Sequence, residues 1–266
     1  MPYERELEVA RDAARAAAEI LLHHYEHGTR SWEKSEDNPV TLADLESDRA
    51  IRERLRAAFP EDAILSEETL SDSSRTSRAR VWIVDPMDGT KEFTRGIPEF
   101  GASIALAERG EPVVGVIHNP AAGVSVWAFR GGGSWRDGSR VRVSRCTRLE
   151  AAVVIASRTE LSRDRFAPYE GWFKELRPVG SIAWKLACIA CGEADLNISV
   201  APKNEWDVCA GDLLVREAGG RYLDFSGAPR VYNQERTLIE AGMAAGSQAL
   251  LDAFFARERR REAGLG

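Results

Sequence analysis

The chain has 266 residues, 44% of them hydrophobic and 29% charged, with 36 Lys and Arg against 42 Asp and Glu for a formal net charge of −6. Disorder, a collagen repeat and a disulfide scaffold are excluded, because apolar residues are plentiful, glycine has no triplet period and there are only four cysteines. Mild acidity argues against a nucleic-acid polymer as partner, and the length suffices for one large domain or two smaller ones.

The first twenty residues carry charges throughout and lack an apolar h-region, so no signal peptide is expected. No run approaches the 18 or so apolar residues of a membrane span, which makes the cytoplasm the expected compartment and a membrane an unexpected partner. Leu7, Ala10, Ala14, Ala17 and Leu21 predict a helix over 3–26, with His23, His24 and His27 suited to its negative end rather than to a metal. Residues 32–40 read as a loop. Thr41-x-x-Asp44 then fits a capping box, opening a helix with an apolar stripe of Leu42, Leu45, Ile51, Leu55 and Phe59. Asp44 lies seven before Ile51 and eleven before Leu55, so it points with the buried face.

Short strands are predicted at 63–65 and 81–84, and an antiparallel meander over 101–143. Its turn signals fall at 109–112, 119–120, 131–133 and 137–138, and Gly131–Gly133 reads as a hairpin turn rather than a nucleotide loop. Beyond about 146 the pattern alternates: strand 151–157, polar helix near 162–170, strand near 176–179, helix 181–191, strand 195–200, helix 207–218 and strand 221–225. Cys188 and Cys191 share one face of the second of these helices and, like Cys146 and Cys209, read as reduced, packed thiols. Residues 256–266 read as a charge-rich fraying tail. An α+β half (1–145) followed by an α/β half (146–266) is the expected organisation.

The most informative stretch is Val81-Trp82-Ile83-Val84-Asp85-Pro86-Met87-Asp88-Gly89-Thr90. A buried strand ends, Pro86 turns the chain, and two carboxylates three apart precede Gly89 and Thr90. Such acids repel unless cations sit between them, while the N–H groups of 89–91 offer an anion site at a helix start. These are the parts of a metal-assisted phosphoester hydrolase. An Asx-turn with a helix cap accounts for one of the two acids but poorly for both. Glu67 and Glu68 follow the strand at 63–65, and Asp207 opens a helix, so oxygen ligands come from three segments.

Covalent routes lack their nucleophiles. Two residues before Asp88 stands Pro86 instead of an Asp, and six residues after the four cysteines stand Ala152, Ala194, Asn197 and Val215 instead of Arg. No G-x-S-x-G occurs either, which leaves water as the nucleophile.

Asp85-Pro-Met-Asp-Gly-Thr90, Ser66-Glu67-Glu68 and Trp206-Asp207-x-x-Ala-Gly211, closing in Glu217-Ala-Gly-Gly220, resemble in order the three signatures of the inositol monophosphatase superfamily. Pro39-Val-Thr-x-Ala-Asp44 and Val179-Gly-Ser181 extend the resemblance over essentially the whole chain. Asp88-Gly-Thr-Lys-Glu-Phe93, Ser157-Arg158 and Gly180-Ser-Ile-Ala-Trp-Lys185 are similar to the CysQ branch, the 3'(2'),5'-bisphosphate nucleotidases.

The resemblance implies a layered αβαβα sandwich of the sugar-phosphatase type and a Mg2+ site of two or three ions. Its ligands would be Glu67, Asp85, the Met87 carbonyl, Asp88 and Asp207, with Glu68 toward a third ion. The N-terminal half would thus carry most of the metal ligands, and the C-terminal half the substrate side and the last metal aspartate. Thr90 with Asp44 would orient and deprotonate the water, with Glu67 at the same catalytic centre. Gly89, Thr90 and the Gly180–Ser181 turn would surround the phosphate, and Met87, Asp88, Ser157, Arg158, Lys185 and Asp207 would also bind substrate.

Arg158, Lys185 and Lys203 are candidates for a second phosphate, or solvated surface charges. Inositol-specific members carry a Glu about seven residues before the Trp-Asp aspartate, where this chain has Val200 or Ser199. The expected substrate is therefore a small anionic phosphate ester, foremost adenosine 3',5'-bisphosphate, with inositol-1-phosphate and histidinol phosphate behind it. A non-catalytic nucleotide-phosphate sensor is the reading from another class. The family often pairs, so a homodimer is possible.

Overall fold

The computed structural model describes residues 2–35, 38–69 and 73–264. Helix α1 (Glu4–His27) is followed by strands β1 (Ser31–Ser35) and β2 (Asn38–Thr41), helix α2 (Leu42–Ala58), β3 (Ala63–Ser66), β4 (Arg80–Asp88) and the short α3 (Thr90–Thr94). The meander comprises β5 (Gly101–Glu108), β6 (Glu111–Asn119), β7 (Val124–Phe129), β8 (Gly133–Arg136) and β9 (Ser139–Val141). Then come β10 (Val153–Ala156), α4 (Arg158–Ser162), β11 (Glu175–Pro178), α5 (Ile182–Ala190), β12 (Leu196–Ser199), β13 (Lys203–Asn204) and α6 (Glu205–Glu217). β14 (Arg221–Asp224), β15 (Leu238–Ile239), β16 (Met243–Gly246) and α7 (Gln248–Glu262) complete the chain.

Strands β3 to β9 form one seven-stranded sheet in sequence order, parallel only between β3 and β4. Because side chains alternate across a strand, β4 serves two cores at once. Trp82 and Val84 pack with Ala10, Ala14, Ala17, Ile51 and Leu55 of α1 and α2. Val81 and Ile83 face the opposite core, which contains Ile182 and Leu186 of α5 and Val208, Leu213 and Leu214 of α6. On the far side of these helices lies the five-stranded sheet β11-β10-β12-β16-β14. Ile155 and Ala245 turn toward α5 and α6, whereas Val154, Ala156, Ile198 and Ala244 pack with Leu250, Leu251, Phe254 and Phe255 of α7. The layers are therefore helix, sheet, helix, sheet, helix, the expected αβαβα sandwich. No helix among the described residues is long and apolar enough to cross a membrane.

Several boundaries differ from the sequence reading. Residues 31–35 and 38–41 pair as antiparallel strands, with Trp32 opposite Val40, where a loop was expected; residues 36 and 37 lie outside the described residues. The helix expected near 162–170 is instead α4 and a 3-10 turn at Ala167–Tyr169, because Asp164 adopts φ 55 and Pro168 follows. The supposed fraying tail is helical to Glu262. It continues the helix whose buried Leu250, Leu251, Phe254 and Phe255 anchor it, and within it the buried Glu258 accepts hydrogen bonds from Tyr169 Oη and Arg261. Leu45 is 38% exposed and leaves the α2 stripe. Asp207 does not cap α6: Asn204 does, and Asp207 is the third residue of the helix. The expected turn at 137–138 does form, both residues taking positive φ as a two-residue hairpin loop requires.

The middle layer is held close by Gly211 of α6. A Cβ there would stand 2.5 Å from Leu186 Cβ of α5. Alanine would gain ~1 kcal/mol of helix propensity, against ~1–3 kcal/mol for overpacking. Gly211→Ala is thus expected to destabilise the fold by ~1 kcal/mol, seen as a lower urea midpoint at unchanged slope. A raised midpoint would mean that the α5–α6 contact yields without strain.

Candidate active site

The parallel pairing of β3 with β4 sets Ser66 beside Val84, and the Glu67 N–H bonds the Val84 carbonyl at 3.2 Å. The next residue of each strand is acidic, so register alone brings Glu67 to Asp85. Beyond Asp85 the pairing of β4 with β5 becomes irregular up to Asp88. Pro86 has no N–H to give, and the Met87 N–H turns back to Asp85 Oδ1 at 3.0 Å. Asp207 arrives from the first turn of α6, where its Oδ2 accepts the Asn204 N–H at 2.6 Å. Carboxylate oxygens of Glu67, Asp85 and Asp207 lie within 4.8 Å of one another. Hard oxygen donors from three segments at that spacing suit a divalent cation such as Mg2+.

Several other sequence-derived residues lie near this group. Asp44 is 2% exposed. Its Oδ2 accepts both the N–H and the hydroxyl of Thr41 at 2.7 Å, and its Oδ1 lies 3.1 Å from Thr90 Oγ1. Thr90 Oγ1 is also 3.2 Å from the Met87 carbonyl. Asp88 Oδ2 accepts from Ser181 Oγ at 2.6 Å and from the Ala183 N–H at 2.5 Å, which ties it to the start of α5. Gly89, at φ 98, passes so close to the next segment that a Cβ would sit 2.6 Å from the Glu99 carbonyl oxygen. A cavity of about 550 Å³ is lined by Glu67, Asp85, Met87, Asp88, Gly89, Thr90, Ser157, Gly180, Ser181, Lys185 and Asp207.

Burial dominates the electrostatics. It pushes Asp85 well above the usual carboxylate range, with Glu67, Asp88 and Asp207 adding repulsion. Asp207 is raised likewise, by burial and then by Asp88 and Glu67. Asp88 is also raised by burial, against the Ser181 and Ala183 hydrogen bonds and Lys185. Asp44 is pushed up to about 6 by burial, opposed by the bonds from Thr41 and Thr90. Lys185, 2% exposed with its Nζ 3.2 Å from the Val179 carbonyl, is brought down to about 8 by burial and by Lys203.

Two expectations change. Arg158 does not line the cavity: its Nη2 lies 2.7 Å from both Glu99 carboxylate oxygens and its Nη1 donates to the Pro178 carbonyl at 2.9 Å. Neither Lys185 nor Lys203 is a solvated surface charge, since Lys203 Nζ lies 3.4 Å from Glu160 Oε1 and both residues line the cavity. Glu68 stands outside the three-carboxylate group and is felt by Asp44 as a like charge. Sequence reading missed Glu92, Glu160, Arg163 and Arg165, which also line the cavity. Only the Lys91-Glu92 pair had a signal, its place beside Thr90. Arg163 and Arg165 come from the segment taken for a regular helix, and Glu160 from just before it.

The comparisons with known proteins bear on family and fold. The model of the inositol monophosphatase family matches residues 3–262. Inositol monophosphatase 2 of Solanum lycopersicum is 34% identical over 94% of this chain and 97% of its own length. A histidinol-phosphatase of Chlorobaculum parvum is 33% identical over 91% and 93%. Among solved structures, an IMPase of Thermotoga maritima superposes with a TM-score of 0.86 at 28% identity, covering 98% of this chain and 100% of its own. The chain belongs to the inositol monophosphatase family and is a phosphoric monoester hydrolase.

Proposed function

We propose that this enzyme is a Mg2+-dependent 3'(2'),5'-bisphosphate nucleotidase, converting adenosine 3',5'-bisphosphate to AMP and phosphate with water as the nucleophile. The observation that carries the hydrolytic reading is the three-carboxylate group set beside the Thr90–Asp44 pair. Glu67, Asp85, the Met87 carbonyl, Asp88 and Asp207 would hold two ions, with Glu68 toward a third. Magnesium there would supply positive charge to the phosphoryl oxygens and acidify water. Thr90 Oγ1 orients the attacking water and takes its proton while passing its own to Asp44 Oδ1. Asp44, with a pKa of about 6, suits a base working near neutrality. The N–H groups of 89–91 and the Gly180–Ser181 turn receive the phosphate.

The finer choice of substrate rests on the outer wall. Val200 lines it without a charge, and Lys185, Lys203, Arg163 and Arg165 supply positive charge for a second phosphate. One observation favours a second reading, histidinol phosphate: Glu160 pairs with Lys203, and Glu92 faces Lys185, so acids suited to a cationic leaving group stand on the same wall. Turnover of adenosine 3',5'-bisphosphate, inositol-1-phosphate and histidinol phosphate separates these readings. The nucleotide should lead in kcat/KM. Lys203→Ala should weaken it more than adenosine 3'-monophosphate, which has no 5' phosphate to lose a charge-assisted contact. A clear lead for either of the other esters overturns the substrate and leaves the hydrolytic site standing.

Two further outcomes test that site. Asp88→Asn and Asp207→Asn should each abolish turnover with an unchanged circular dichroism spectrum. Thr90→Val and Asp44→Asn should each lower kcat by a factor of about 10² to 10⁴, the double variant being little worse than either; multiplying losses would reduce Asp44 to a helix-capping role.

The raised carboxylate pKa values also fix the pH dependence of stability without metal. Groups whose folded pKa exceeds the unfolded value contribute stability that is full below the unfolded pKa and is lost as pH rises through the folded one. For Asp44 that window runs from about 4 to about 6, and Asp85 and Asp207 extend the loss upward. Calorimetry in chelator should show Tm falling from about pH 5 to about pH 8, with added Mg2+ restoring it chiefly at the higher pH. A Mg2+ effect equal at both values would contradict binding by these acids.

A further inference from the structure

Glu99 bonds the backbone of a cavity-lining turn in a way that the hydrolytic reading leaves unused. The segment bearing it is firmly held. Asn119, fully buried, donates through Nδ2 to the Pro98 carbonyl at 3.0 Å, and Phe100 packs edge-on against Phe93 of α3 at 5.0 Å. From this base the Glu99 carboxylate takes Arg158 Nη2 at 2.7 Å on each oxygen, and its Oε2 also accepts the Gly180 N–H at 2.6 Å. Arg158 in turn donates to the Pro178 carbonyl. One carboxylate thereby joins the start of α4, through Arg158, to the 178–181 turn.

We infer that Glu99, braced by Arg158, is a positioning residue that fixes the Gly180–Ser181 turn in its phosphate-binding conformation. The inference rests on the proposed reading of that turn as part of the phosphate site. The turn needs such a brace. Ser181 sits at φ 49, a conformation disfavoured for a residue with a side chain, and it must hold this while bonding Asp88 and capping α5 at the Trp184 N–H. Gly180 packs directly against the Glu92 side chain, where a Cβ would fall 2.2 Å from Cδ, so only glycine keeps the turn at this distance. The Glu99 bond to the Gly180 N–H fixes the turn from a second segment. At side-chain exposures of 29% and 20% the Arg158–Glu99 pair contributes little as an isolated attraction, so its consequence lies in geometry.

The test uses the full chain with saturating Mg2+, inorganic phosphate as the probe, and titration calorimetry. Kinetics on the ester that the wild type hydrolyses best accompany it. Glu99→Asp keeps the charge but shortens the reach, and should weaken phosphate about tenfold and lower kcat/KM by about 10 to 100-fold, since small displacements at a reacting centre are costly. Glu99→Gln loses the charge but keeps the reach to Gly180, and should lose no more than about threefold, as should Arg158→Lys. Both readouts are taken well below each variant's Tm. A loss larger for Gln than for Asp would make the pair an electrostatic element and overturn the clamp. So would unchanged phosphate affinity in Glu99→Asp, whether or not Tm falls. If the wild type itself fails to bind phosphate, the functional reading fails first and visibly, and the clamp fails with it.

Discussion

Everything at this site follows from holding acids side by side out of water. Two ionised carboxylates at 4 to 5 Å repel by on the order of 3–4 kcal/mol at an effective dielectric of about 20, and Glu67, Asp85 and Asp207 form three such pairs. No local sequence would choose this arrangement for stability. It persists because each acid is fixed by a different piece of covered secondary structure. Asp85 lies within the buried run of β4, Glu67 follows β3 in forced register with it, and Asp207 is built into the capping turn of α6. The two cores on either face of β4 supply the stability that the acid group removes.

The middle helix layer gives this constraint its direction. Both α5 and α6 begin at the cavity and run away from it between the two sheets, so their N-terminal N–H groups face the acids. The α5 terminus takes Asp88 through the Ser181 hydroxyl and the Ala183 N–H, and the α6 terminus takes Asp207 through the Asn204 N–H. Partial positive charge from two helix ends thus meets the negative cluster, as the helix dipole favours. The tight approach of Gly211 to Leu186 sets how closely these two termini can converge.

The parts legible in the sequence were those written in local chemistry. The Thr41–Asp44 capping box, the unbroken apolar run of β4 and the Asp137-Gly138 hairpin each signal their own geometry within a few residues, and each formed. Asp44 could be turned inward from helical spacing alone. What stayed hidden depends on distant partners. β16, with the sequence Met-Ala-Ala-Gly, has almost no strand propensity and is a strand only because β12 and β14 flank it. The last turns of α7 look like a solvated tail until Tyr169 is placed beside Glu258. Arg158 looks like a ligand for phosphate until Glu99, distant in sequence, arrives to pair with it.

The same lesson bears on how substrate choice is written into this fold. On the proposed reading the inner acids and the Thr90–Asp44 pair would act on any phosphate monoester, so they would carry no information about the alcohol. That information must lie in the outer wall, where two of the cations are matched with acids: Lys203 with Glu160, Lys185 with Asp88 and Glu92. Glu160 also gathers the Ser199 hydroxyl and the Ala201 N–H, so it fixes the wall at the point where the chain itself offers only Val200. A wall of paired charges discriminates by which partner a ligand displaces: a second phosphate competes with Glu160 for Lys203, while a cationic group competes with Lys203 for Glu160. Selectivity between such ligands is therefore a difference between two desolvated contacts, which can be large even when each contact alone is modest.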